Sequence, residues 1–494
     1  MASFNALYQP WIGAMDVQGQ RQVYSIYDVL TKAHQLKKLT DPSPLVEYGM
    51  YRLLIAFIMD AFRPRTREDL IDLLDQETIS VQALQIYITE CEQDGSCFDL
   101  FDKEKPFMQS KYEEKWDKGL KPVALLVHDL PTGNNHVHFL HKQETEHALC
   151  PEDCLRALCA VNVFCTSGLQ GPSSINGAPP YYVLASGENL FETLICNCMT
   201  QKEMKNIPYA DPPIAWRGGI EIEPDKKIVD VSVLYGLTFS SRRITLIPGD
   251  TPVACSQCGK TNDSVVRNMY FQKGLDFQGY TSWRDGHVII NQKSGSSIKP
   301  NLAKDAWRNV TAIYAGDSKC RPIVVQQYKE VFDSRQNIPI MVFGLVTNQA
   351  SYETWMREEL SVDRRISQDD EKAKQITDAL ELADNVASEL RKQVRNMLAT
   401  EEQLSQCLQK YYQATRQVFF ARLCPDIAQV DDSNYTKPLL RWKSDLLRIT
   451  YSEFEACADR LGMQAKFLKA RADASGKLST KLNKLLKKGE ENNG

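Results

Sequence analysis

The chain has 494 residues, of which 43% are hydrophobic, 25% charged and 9% aromatic. These are globular proportions that exclude wholesale disorder and fibrous classes, and the length suits two to four domains. A formal net charge of −4 argues against a stand-alone basic nucleic-acid binder, though not against binding through a local patch.

In chain order, Met1 to Met15 has neither a basic start nor an apolar stretch, so no signal peptide is expected. Leu45 to Phe62 is apolar at helical spacing, and Glu68 to Cys91 repeats that pattern. Val123 to Val127 reads as a strand. Residues 166 to 180, TSGLQGPSSINGAPP, are too rich in Gly, Ser and Pro for regular structure and predict a loop. Between 228 and 290 the apolar residues alternate in the strand manner, at Ile244, Leu246, Val253, Val265, Tyr270, Val288 and Ile290. A second loop, Ser294 to Pro300, precedes a buried strand over Ile338 to Val346. The longest apolar runs fall far short of the roughly 18 residues a membrane span needs, so the expected location is cytoplasmic.

The last 130 or so residues change character. Four sets of apolar residues step by three and four: Leu380 to Met397, Leu404 to Val418, Leu440 to Leu461 and Phe467 to Leu485. Pro425 should end the second helix, and Pro438 sits where the third can begin. The expected fold is α+β. A large mixed α/β domain over 1–363 carries a zinc-knuckle-like element, and an antiparallel four-helix bundle follows over 364–494.

Cysteine spacing is the strongest chemical signal among the 14 cysteines. Cys255 and Cys258 enclose Ser256 and Gln257 and are followed by Gly259, the form of a zinc knuckle; Cys150 and Cys154 enclose three residues. Two such pairs can close one tetrahedral, structural zinc site with no position left for water. Cys159 and Cys165 lie near enough in sequence to replace the first pair. Five of the seven histidines, His128, His136, His138, His141 and His147, crowd into one segment. They leave open a metal-dependent nuclease or phosphohydrolase, but no HExxH and no catalytic Asp cluster accompanies them. GxxxxGK[ST], GxGxxG and GxSxG are absent as well. A binding subunit is favoured over an enzyme.

Several short motifs stand in register. Phe4 to Ile12 ends in Gln9-Pro10-Trp11-Ile12, and Lys105-Pro106-Phe107-Met108-Gln109 follows. Then come Leu130-Pro131-Thr132-Gly133-Asn134-Asn135 with Phe139 and His141, and the glycine loop Gly168-Leu169-Gln170-Gly171. The cysteine knuckle and Thr347-Asn348-Gln349-Ala350-Ser351 complete the series. In this order, with a helical C-terminus, they resemble the CasA large subunit of the type I-E CRISPR Cascade complex over essentially the whole chain. The first cysteine pair departs from that family in being CxxxC rather than CxxC.

The resemblance implies a non-catalytic subunit that recognises the protospacer-adjacent motif (PAM) in double-stranded DNA through the minor groove. It implies that this subunit starts duplex unwinding for guide-RNA pairing and recruits an effector nuclease in antiviral defence. Gly168, Leu169, Gln170 and Gly171 would form the PAM-reading loop, where glycine lets backbone amides approach the groove floor. Lys273 matches a lysine-finger region. Asn348 and Gln349 match a wedge that holds the first base pair open against an unstacking cost of a few kcal/mol. Asn134 and Asn135 would face PAM-proximal DNA or the crRNA 5′ end. Implied partners are the backbone, small and crRNA 5′-end subunits of the complex; the implied cofactor is structural zinc on Cys150, Cys154, Cys255 and Cys258. The last helix carries Lys466, Lys469, Arg471, Lys477, Lys481, Lys484, Lys487 and Lys488 against Asp473. It is either a solvated face or one that meets phosphates or the small subunit.

Overall fold

A computed structural model describes residues 2–128, 130, 147–166, 171–217, 223, 226–278, 283–291, 294–301, 305–315, 320–348, 351–431, 433–462 and 464–487. The chain divides into two compact units. The first takes Met1–Ala306, Gly316–Ser334 and Ile338–Leu360; the second takes Trp307–Ala315, Arg335–Asn337 and Ser361–Gly494.

The first unit is mixed α/β and is organised on the helix Pro44–Phe62. That helix is apolar on nearly every side, and 16 of its 19 residues are buried. A helix with no polar face must be surrounded, and neighbouring elements cover it. Gly49 allows the helix Pro151–Val161 to approach closely, because a Cβ at Gly49 would sit 2.5 Å from the Cys159 carbonyl oxygen. The charged residues on this buried helix are all paired, as burial demands. Arg52 meets Asp285 at 2.7 Å, Asp60 meets Arg217 at 2.7 Å, and Glu47 accepts two bonds from Arg357 at 3.0 Å.

Small sheets surround this core. Ile12–Asp16 lies between Arg21–Tyr24 and Leu36–Leu39; Val266–Lys273 lies between Lys121–Pro122 and Arg242–Pro248. Asn337–Asn348 lies between Tyr182–Ala185 and Ser351–Asp363. Val253–Ala254 pairs with Thr261–Asn262 as a short antiparallel ribbon. The strand expected at Val123 to Val127 is instead a 3-10 helix over Val123–Leu126, and pairing stops at Lys121–Pro122. Apolarity alone does not separate a buried turn of helix from a strand in so short a run.

The second unit is helical. Asp370–Asn396 packs against Glu401–Val418, Thr436–Asp459 and Ala465–Lys487. Asp369 caps the first of these by accepting from the Glu371 and Lys372 amides, and Thr400 with Gln403 forms a capping box on the second. Inside, Trp442 donates to the Ala379 carbonyl at 3.0 Å and Tyr411 to the Ala383 carbonyl at 2.9 Å. Pro425 does not end the second helix as its sequence position suggests. A π-helical segment, Phe419–Leu423, carries the chain into a short helix Cys424–Ala428. Proline then falls in a first turn, where a missing N–H costs nothing.

Candidate functional site

Two places gather the residues singled out in the sequence. The first is the cysteine cluster. Cys150 caps the helix Pro151–Val161, so the helix places Asp153 one turn on. Cys255 and Cys258 sit on the turn between Val253–Ala254 and Thr261–Asn262. That turn closes through Cys255 N–H to the Lys260 carbonyl and Gly259 N–H to the Cys255 carbonyl, both 2.9 Å. Gly259 has φ +73°, a conformation glycine adopts without penalty. The turn is stitched to the helix start by Ser256 N–H to the Ala148 carbonyl, 2.7 Å, and by Cys150 N–H to Cys255 Sγ, 3.3 Å.

The ligand atoms of Cys150, Asp153, Cys255 and Cys258 lie within 4.8 Å of one another. Cys150 Sγ and Cys258 Sγ are 3.8 Å apart, and a tetrahedral zinc with bonds of about 2.3 Å requires sulfur pairs about 3.8 Å apart. Asp153 Oδ2 accepts from Cys150 at 3.2 Å and from Cys255 at 2.9 Å, while its Oδ1 pairs with Arg156 at 2.5 Å. Burial pushes the Asp153 carboxyl up, but Arg156 and the thiols outweigh it and hold the carboxyl below its ordinary value. The hydrogen bond from Cys150 draws the Cys255 thiol down. Three thiols and one carboxylate, turned to a common centre, are a donor set that fits zinc. A bound ion would tie the helix start to the turn.

Cys154, expected as the fourth ligand, is not in the group. It is fully buried with its thiol on the Leu149 carbonyl at 4.0 Å, and burial pushes that thiol well up. Asp153 and Cys154 are consecutive in the helix, so the two side chains point about 100° apart and only one can face the turn. Sequence spacing of cysteines had no means of selecting the aspartate between them.

The second place is where the roots of three expected loops converge. Asn134, Asn135, Gly168, Leu169, Gln170 and Gln349 lie outside the described residues, as do the Asn348 side chain and His136, His138 and His141. Their flanks are well placed. His128, ahead of the first loop, packs its ring edge-on against Tyr352, beyond the third, with centroids 4.8 Å apart. Burial raises the Tyr352 hydroxyl, with Cys165 adding to the shift, while Arg242 and a side-chain hydrogen bond with Thr166 pull it back. Thr166 precedes the glycine loop. At the loop's other end Gly171 has φ +131°, and a Cβ there would lie 2.9 Å from Arg242 Nη1 and 3.2 Å from Lys273 Cα. Lys273 is exposed at the end of its strand and pairs in register with Arg242. The described end of the glycine loop, the expected lysine and the base of the expected wedge are thus neighbours. Arg242 was not singled out in the sequence, where a buried arginine looks like any other.

The remaining motifs have structural places. Trp11 is fully buried and donates to the Ala6 carbonyl at 2.8 Å. Phe107 packs on Phe98 and Trp216, and Gln109 bridges the Leu100 carbonyl and the Leu246 amide. This segment lines a cavity of 490 Å³ together with Trp216, Tyr235 and Arg243. Burial lowers His128 to about 4, so it is neutral at physiological pH. Among the described residues no histidine joins a metal-binding group. On the last helix, Lys466, Lys469, Lys477, Lys481 and Lys484 are exposed, while Arg471 is engaged by Glu455 and Asp459. No helix among the described residues is long and apolar enough to cross a membrane.

Comparison with known proteins matches residues 5–452 to the family described as CRISPR-associated protein Cse1. A curated relative, "CRISPR-associated protein CasA/Cse1" of Thermus thermophilus, is 29% identical over 230 residues. That match covers 45% of this chain and 44% of the relative's own length. Cse1 from Acidimicrobium ferrooxidans has a similar fold, with a TM-score of 0.77 at 17% identity, covering 99% of both chains. A chain of a CRISPR RNA-guided surveillance complex aligns with a TM-score of 0.73 at 16% identity, over 97% of this chain and all of that one.

Proposed function

The chain belongs to the CRISPR-associated Cse1 family, and from that premise we propose that it is the non-catalytic large subunit of a type I-E Cascade complex. In this reading it recognises the PAM of double-stranded target DNA from the minor groove. It opens the first base pairs for guide-RNA pairing and presents the complex to an effector nuclease. The observation that carries the reading is the convergence of Gly171, Lys273 and Arg242 with Thr166, Tyr352 and His128. Residues from separate stretches of sequence meet at the bases of the motif segments, with Lys273 exposed beside them.

The roles follow from chemistry. Gly171 combines a positive φ with no room for a Cβ, so glycine there permits a backbone path that other residues would not. A groove offering mostly acceptors suits the Lys273 ammonium, and such readout tolerates related sequences. Gln349, with Asn348, would serve as the wedge, its amide stacking on one base and bonding the freed edge of another. Asn134 and Asn135 would meet PAM-proximal DNA or the crRNA 5′ end. The cysteine group would hold structural zinc in a knuckle-like element. The C-terminal helices would act as a four-helix bundle that docks on the crRNA-bearing subunits.

The test is R-loop formation by the reconstituted complex. Gln349→Ala should slow it on a linear paired duplex and leave a duplex bubbled at the first protospacer pairs nearly unaffected. Negative supercoiling should partly rescue the loss, because heteroduplex formation is nearly balanced and supercoiling supplies unwinding energy. An equal loss on all three targets would assign Gln349 to general affinity or folding and reject the wedge.

A further inference from the structure

The motif Lys105-Pro106-Phe107-Met108-Gln109 has no part in the DNA-reading roles above, yet all five of its residues line the 490 Å³ cavity of the first unit. The wall they make is anchored. Phe107 N–H donates to the Asp99 carbonyl at 2.9 Å, and Ser110 N–H donates to the Ile244 carbonyl at 2.8 Å. The Gln109 amide donates to the Leu100 carbonyl at 2.7 Å and accepts from the Leu246 N–H at 2.8 Å. Between these anchors Met108 is held at φ +59°, a conformation a non-glycine residue keeps only where its surroundings impose it. The cavity is therefore a preformed feature of the fold.

Its lining divides by chemistry. Phe107, Trp216 and Tyr235 are aromatic and buried. Trp216 is itself fixed, stacked on Phe57 with centroids 4.4 Å apart and donating from Nε1 to the Tyr87 hydroxyl at 2.9 Å. Ser110, a further lining residue, is buried, and its hydroxyl has no hydrogen-bond partner among the described residues; nor has the Tyr235 hydroxyl. A buried hydroxyl left unpaired is costly, and a serine hydroxyl can be re-aimed by rotation about χ1. The charged lining residues are Lys105, Lys111 and Arg243 against Glu104 and Glu113, one cation in excess. Arg243 is braced by Glu113 at 3.0 Å and by the Lys111 carbonyl at 2.5 Å. Lys105, Lys111 and Glu104 are exposed and mark the mouth.

We propose that this cavity binds a nucleotide, with the base against Phe107, Trp216 and Tyr235, a base acceptor on the Ser110 hydroxyl, and the phosphate at the lysine-bearing mouth. The volume lies within the range of about 300–1,000 Å³ typical of small-ligand pockets. Aromatic faces stack on any base. A purely apolar ligand would leave Ser110 unpaired, and a neutral one would make no use of the excess cation. A free mononucleotide and an unpaired nucleotide of a strand offer the same chemistry, and the experiment distinguishes them.

The full chain is titrated with AMP and UMP in a calorimeter, with adenosine and uridine as the phosphate-free controls. Cys97 lines the same cavity, so its alkylation by iodoacetamide, read by mass spectrometry of its peptide, reports occupancy at this place. At least one nucleotide should bind saturably, more tightly than its nucleoside, and should slow alkylation of Cys97. Ser110→Ala should weaken that nucleotide roughly five- to tenfold without lowering the melting temperature, because the hydroxyl it removes has no partner in the ligand-free protein. Lys111→Gln should weaken the nucleotide about two- to fivefold and leave the nucleoside unchanged. Failure of both nucleotides to bind, equal affinity for nucleotide and nucleoside, or binding that leaves Cys97 unprotected would overturn the proposal. So would unchanged nucleotide affinity in both variants. Displacement of the bound nucleotide by a short single-stranded oligonucleotide would assign the site to a strand, and retention against it would assign the site to the free nucleotide.

Discussion

Removing Asp153 should cost metal, and removing Cys154 should not. The cluster holds Cys150, Asp153, Cys255 and Cys258, with Cys154 turned to the Leu149 carbonyl. Structural zinc sites in small peptides have apparent binding free energies of about 10–16 kcal/mol. Shared over four ligands, that is about 3 kcal/mol each, or roughly a hundredfold in affinity. Asp153→Asn should therefore weaken zinc about a hundredfold in competition with a chromophoric chelator, and Cys255→Ser or Cys258→Ser should do at least as much. Cys154→Ser should stay within a few-fold of wild type. Asp153 also pairs with Arg156 at 2.5 Å, so Arg156→Gln is the control. It keeps the carboxylate and removes only its support, and should cost less than the loss of the carboxylate itself. Zinc that leaves with Cys154→Ser and stays with Asp153→Asn would restore a four-cysteine site and refute the geometric assignment.

Three further outcomes are expected. Asp285→Asn leaves Arg52 as a buried unpaired cation and should destabilise by about 3–5 kcal/mol in urea melts; a loss below about 1 kcal/mol would show that Tyr48 and the carbonyls suffice. Burial pushes the Asp285 carboxyl up, but Arg52, His287 and Asn176 outweigh this and hold it far below its ordinary value. Its contribution should thus be complete above about pH 4 and fade as pH falls further. Burial raises the Asp41 carboxyl to about 6, so the folded state binds the extra proton and stability should fall as pH rises from about 4 to 6. Asp41→Asn keeps an acceptor for the Ser43 amide and should remove that fall, worth about 2–3 kcal/mol; a wild-type-minus-variant difference flat across that window would contradict it. Gly171→Ala meets both a positive φ and two close neighbours; a strain of about 1–3 kcal/mol predicts a 5- to 150-fold loss of duplex affinity, and wild-type affinity would remove Gly171 from the interface.

Periodicity made the helical C-terminus legible, because each of the four long helices buries one stripe every three to four residues, and Asp369 and Thr400 mark the starts of the first two. The 13-residue strand Ser351–Asp363 was not legible. It carries Glu353, Arg357, Glu358 and Glu359, a charge content that hides alternation, and its stability comes from distant partners. Arg357 reaches Glu47, and Glu359 reaches Lys38. Likewise Trp307–Ala315 belongs to the helical unit, where Trp307 packs on Phe419 and Arg308 pairs with Asp384. No local pattern announces contacts made between residues so far apart in the chain.

The same distinction explains what could be read of the site. Motifs that act through their own backbone, such as the glycine at 171 and the turn at Cys255 to Gly259, declare themselves, since few residues tolerate those conformations. Asp153 and Arg242 have no such signature. Each matters because of the charge it brings to groups assembled by the fold: an anion among three thiols, and a buried cation held by three carbonyls. In the first case the surplus acceptor has a metal ion as its natural complement. In the second the carbonyls of Thr166, Pro172 and Ser241 satisfy the guanidinium, so its burial is understood only once the fold has brought those three carbonyls together.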